Sequence, residues 1–141
     1  MTGQAARAQG DEEGHMTEIS FILNNEVLQF DPDRIGALEC EIGPEATEDM
    51  LFEATEALVR HLETARKAYE ADAHIEVIRV AREIAQVSEN VGMITIARVA
   101  RDVIYCCEKG DVAAFHATYA RLFRVGEGSV TGAFDYSDQY I

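Results

Sequence analysis

Tryptophan is absent from this 141-residue chain, proline occurs twice and cysteine three times. No apolar run approaches the ~20 residues that a membrane-crossing helix needs, so a spanning segment of that kind is excluded. The opening MTGQAARAQGDEEGH holds no apolar stretch of the signal-peptide type, and the expected compartment is the cytoplasm. Positive charge is also scarce, with 12 basic against 26 acidic side chains and a formal net charge of -14. A field of that sign repels nucleic acid and anionic lipid headgroups. Neither is expected as a partner, whereas a protein with a local basic patch suits the charge.

The cysteines are Cys40, Cys106 and Cys107. An odd count with one adjacent pair is no disulfide framework, and no Cys-x-x-Cys pair exists to hold zinc. They read as small, reduced, apolar residues of helices. The chain also lacks a Gly-x-Ser-x-Gly elbow and a phosphate-cradling glycine loop. A carboxylate-bridged metal site in a helical bundle would need inward Glu-x-x-His motifs. One such motif occurs, Glu12 to His15, in the polar leader. No catalytic residue, metal ligand or cofactor is therefore expected, and His61, His74 and His116 read as surface or boundary residues.

What the chain has is hydrophobic periodicity. Hydrophobic residues make up 48% and charged residues 27%, which fits one soluble domain long enough to bury a core. Residues 1–17 are polar without periodicity and are expected to form a disordered leader. In residues 18–30, Ile19, Phe21 and Leu23 alternate ahead of Asn24-Asn25, which suits an extended segment or a short hairpin.

From Asp31 the pattern becomes helical. Asp31-Pro32 supplies an N-cap and a first-turn proline, and Gly43-Pro44 ends a short leading helix and opens a long one. Leu51, Ala54, Leu58, Leu62, Ala65 and Tyr69 mark the buried stripe of that long helix. Glu56–Arg60 and Glu63–Lys67 are its expected outward pairs. Asp72 is the expected cap of the next helix, whose inner residues are Val77, Val80, Ala81, Ile84, Val87 and Val91. Gly92 ends it. Ile96, Val99, Ala100, Val103 and Cys107 line a further helix closed by Gly110. Asp111 caps the last, with Val112, Phe115, Tyr119 and Leu122 inward and Gly126 beyond its end. Residues 127–141 read as a flexible tail with aromatic residues. Helices of this length on short turns run antiparallel, so the expected fold is all-α, an up-and-down four-helix bundle over 31–126 with a short leading helix.

The order of these pieces, through ADAHIEVIRVAREIAQVSENVGMITIARVARDVIYCCEKGDVAAFHATYARL, resembles the histidine-containing phosphotransfer (HPt) domain. That family carries Ala-His-x-Leu-Lys-Gly-Ser on its second bundle helix, a glycine break ten residues after the His, and a Gly-Asp turn before the last helix. Gly92 stands at the break and Gly110-Asp111 at the turn, and the resemblance spans roughly residues 30–126. The active motif departs from the family: Arg82 occupies the phospho-accepting position, Ala85 that of the lysine and Gln86 that of the glycine. An arginine has no imidazole nitrogen to phosphorylate, and its guanidinium stays protonated.

The resemblance implies an adaptor in two-component signalling that binds a receiver domain or a histidine kinase without carrying phosphate. Its expected binding surface is Arg79, Arg82, Gln86 and Glu89, flanked by Arg60 and His61 on the preceding helix. Three alternatives stand beside it. They are phosphotransfer through a displaced His61, a structural homodimeric bundle, and a helix face that is merely solvated.

Overall fold

The computed structural model describes the backbone of residues 4–8, 19–23 and 26–140, and the side chains of residues 28–131. The chain is mostly helical. Three strands, β1 (Gln4–Ala8), β2 (Ile19–Leu23) and β3 (Glu26–Phe30), precede five helices: α1 (Pro32–Ile42), α2 (Pro44–Glu70), α3 (His74–Asn90), α4 (Ile94–Glu108) and α5 (Val112–Tyr140). The alternation of Ile19, Phe21 and Leu23 concerns side chains outside the described residues.

The two readings of residues 18–30 resolve to a hairpin. β2 and β3 pair antiparallel from Ile19↔Phe30 to Leu23↔Glu26. The expected disordered leader is corrected over part of its length, because β1 pairs antiparallel with the outer edge of β2. A ladder is made of backbone groups, so an edge strand can add to a hairpin without a side-chain pattern that marks it in advance.

The hairpin is fastened to the helices through β3. Leu28 and Phe30 belong to the same buried cluster as the helical core, Phe30 forms a backbone bridge with Met93, and the Gln29 amide donates to Thr95 Oγ1 at 2.8 Å. In the helices the expected stripes hold except at the first turn of α5, where Val112 is 63% exposed, and at Tyr69, Val87 and Cys107, which are only partly buried. Leu58, Leu62, Val80, Ile84, Ile96, Val103, Phe115 and Leu122 are all buried. α2 packs on α3 and α5, α3 on α4, and α4 on α5, with α1 against α2.

Asp31 caps α1 as expected, its Oδ1 accepting from the Asp33 and Arg34 amides at 3.0 and 3.4 Å. Asp111 caps α5 through the Ala114 amide at 3.1 Å. Asp72 does not cap α3. It sits at φ 57, while the Asp72 and Ala73 amides close the end of α2 on the Tyr69 and Ala68 carbonyls. That closure needs a left-handed residue, which aspartate tolerates better than most, so Asp72 serves the end of α2.

The flexible tail is also corrected. α5 does not stop at Gly126 but continues to Tyr140, and Val125, Gly126, Gly128 and Ser129 are buried. A Cβ on Gly126 would lie 2.7 Å from Leu62 Cδ1. The glycine thus lets α5 approach α2 closely, and burial along that contact offsets its low helix propensity of about 1 kcal/mol.

Gly92 is a true turn glycine, at φ 77. Its carbonyl accepts from the Asp31 amide at 2.8 Å, and a Cβ there would meet the Asp31 carbonyl oxygen at 3.0 Å. Gly92→Ala is expected to destabilise the fold by about 1–3 kcal/mol, combining left-handed strain with a contact against backbone. Urea denaturation checks this, and an unchanged midpoint would contradict it.

Candidate functional site

The expected surface residues of α3 do share one exposed face, because Arg79, Arg82, Gln86 and Glu89 recur at three- and four-residue spacing outside the Val77–Val80–Ile84–Ser88 core. The structure divides them between two ion-pair networks.

Toward α2, Arg79 donates to Glu76 from Nε at 3.0 Å and to Glu83 at 2.9 Å. Glu83 in turn lies 3.4 Å from His61 Nδ1 on α2. Hydrogen bonding to Arg79 holds the Glu76 carboxyl below its ordinary range. Partial burial lowers the His61 imidazole, Glu83 opposes that shift, and Arg60 and Arg79 add to it. His61 is only partly exposed and occupied by this carboxylate, whereas Arg60 on the adjoining position of α2 is exposed.

Toward α4, Arg82 donates to Glu108 at 2.9 Å, both side chains more than half exposed. That pair closes one end of the groove between the two helices. At the other end Arg101 on α4 pairs with Glu89 at 2.5 Å. Between the two bridges runs an open groove of about 650 Å³ with Ala85 and Ile104 on its floor and Gln86 and Tyr105 on its rim. Tyr105 is 61% exposed. A second depression of about 540 Å³ continues past the Glu89–Arg101 pair toward Arg34 and Arg98. The floor is fixed by the core behind it. Ala85 is 4% exposed.

Sequence reasoning missed the α4 half of this surface: Arg101, Tyr105 and Glu108. Their spacing of four and three residues on the polar side of α4 was a readable signal. Their meeting with α3 depends on the register of the two helices, which periodicity within one helix does not report. The other described histidines, His74 and His116, belong elsewhere. His116 Nδ1 meets the Tyr69 hydroxyl, Tyr69 stacks on Tyr119 with centroids 3.7 Å apart, and His74 lies against Phe115. Glu63, expected to pair with Lys67, is taken by Arg66.

Among the described residues no group of three or more His, Cys, Asp or Glu side chains is gathered to hold a metal ion. Cys40, Cys106 and Cys107 are free thiols. No helix searched among the described residues is long and apolar enough to cross a membrane. The face presents Arg79, Arg82, Gln86 and Glu89 together with the exposed ring of Tyr105. Comparison with protein-family models, with curated protein sequences and with solved structures finds no match for this chain.

Proposed function

We propose that the chain is an HPt-like four-helix bundle acting as a signalling adaptor, which docks a response-regulator receiver domain, or its histidine kinase, on the exposed face of α3 and does not itself carry phosphate. The observation that carries this reading is the placement of Arg82. It sits midway along α3 with its side chain in solvent, at the position where the resembled family has its phospho-accepting histidine. The neighbours that would frame a partner are Arg79, Gln86 and Glu89 on the same helix face, with Arg60 and His61 on α2.

The mechanism of docking is exchange. Arg82 and Arg79 already hold carboxylates, in solvent where such pairs contribute little. A partner's carboxylate can replace Glu108 at Arg82 at little cost and gain a hydrogen bond that a planar guanidinium presents in fixed geometry. His61 is a poor phosphoacceptor by comparison, since it is partly buried and faced by Glu83.

Arg82→Ala is expected to leave unfolding free energy within about 0.5 kcal/mol, as at other exposed sites, while weakening capture of the cognate receiver domain. Calorimetric titration of both proteins with that domain checks the pair of outcomes. Equal affinity of the parent and the variant contradicts the proposed role of Arg82. Acid-labile phosphate appearing on the parent after incubation with a phosphorylated receiver would overturn the adaptor reading in favour of His61.

A further inference from the structure

The charges around the α3–α4 groove repeat. Arg82 and Glu89 are seven residues apart on α3, and Arg101 and Glu108 are seven apart on α4. Because the helices run antiparallel, Arg82 meets Glu108 and Glu89 meets Arg101. The four charges therefore stand at the corners of a quadrilateral with like signs on the diagonals. A local two-fold axis through the groove exchanges Arg82 with Arg101 and Glu89 with Glu108. It also carries Ala85 onto Ile104 on the floor and Gln86 onto Tyr105 on the rim.

Such a quadrilateral is complementary to itself. Turn a copy over about an axis parallel to the helices, and its Arg82 faces Glu108 while its Glu89 faces Arg101. Turn it about an axis across the helices, and its Arg82 faces Glu89 while its Arg101 faces Glu108. Opposite charges meet in either case. The four corners sum to zero in a chain whose formal net charge is -14, so two copies repel less through this face than through acidic surface. A uniformly acidic or basic partner would meet two like charges here. We propose that the α3–α4 groove is an isologous interface for a second copy of this chain, with the four charges setting register and the exposed Tyr105 on the rim packing against the copy. Because Arg82 takes part, self-association and the docking of another protein on α3 exclude each other.

The test uses the protein alone, so its failure leaves the receiver reading untouched. Sedimentation equilibrium at roughly physiological ionic strength, where the net repulsion is screened beyond about 8 Å, should show dimers. Arg82→Glu should weaken dimerisation by about tenfold or more, since like charges then face each other. The decisive variant reverses all four corners together: Arg82→Glu, Glu89→Arg, Arg101→Glu and Glu108→Arg. It keeps the net charge and both intrachain pairs, and it places arginine near the C-terminal ends of α3 and α4, where the helix dipole favours it. Circular dichroism confirms the fold. This variant should dimerise with itself but form no mixed dimers with the parent in native mass spectrometry, because every corner of one then faces its own sign on the other. A parent that stays monomeric overturns the proposal, and so does a reversed variant that mixes freely with the parent.

Discussion

Phe30→Ala will cost about 3–5 kcal/mol of unfolding free energy, the range for truncating a buried phenylalanine. Phe30 lies in a segment that a sequence reading leaves outside the helical core, yet it is among the largest side chains with almost no exposure. Three contacts explain why the loss is expected in full. The ring enters the helical cluster, the Phe30 backbone bridges Met93, and the next residue, Asp31, donates its amide to the Gly92 carbonyl. The site is held on both sides by backbone, so the cavity has little freedom to collapse. Urea denaturation should show a lower midpoint at unchanged slope. A loss under about 1 kcal/mol would mean that the hairpin is an appendage rather than part of the core.

Ile84→Ala carries the second large effect, about 2–5 kcal/mol. Ile84 has no exposed surface and lies on the inner stripe of α3 between Val80 and Ser88. Ser88 returns its hydroxyl to the Ile84 carbonyl at 2.6 Å, which fixes the local backbone and limits relaxation around a lost side chain. The result also tests the phase of α3. If Ile84 faces inward, Arg82 and Gln86 face outward, two residues away on either side. A loss near zero would place the wrong face of α3 in the core and remove the basis of the docking face with it.

These residues also mark what could be read in advance. The stripes of α2, α3 and α4 were legible because three- and four-residue recurrence reports burial directly, and Asp31, Asp111 and Gly92 were legible because caps and positive-φ turns demand particular residue types. Gly126 misled. A glycine late in a periodic segment resembles a helix end, and only the proximity of Leu62 reveals that it permits close packing of α5 on α2. Asp72 misled similarly, since one aspartate can serve either the end of one helix or the start of the next. β1 carries no side-chain signature.

The candidate site divides along the same line. Arg79, Arg82, Gln86 and Glu89 were found on one face because that is a property of a single helix. Glu108, Arg101 and Tyr105 complete the surface from α4, and their arrival depends on how two helices are aligned, which local pattern does not encode. Arg82 is held in an ion pair with Glu108. In the proposed docking a partner's carboxylate exchanges with Glu108, so removing that internal competitor by Glu108→Gln should strengthen capture of a carboxylate-bearing partner while Arg82→Ala weakens it.

We propose that a receiver domain docks on the exposed face of α3. The most direct measurement is an amide chemical-shift titration of the isotope-labelled protein with the unlabelled cognate receiver domain. Perturbations are expected at Arg79, Arg82, Gln86 and Glu89, with weaker ones at Arg60 and His61. Perturbations confined to α5 or the hairpin, or none with any receiver domain of the same cell, would contradict it.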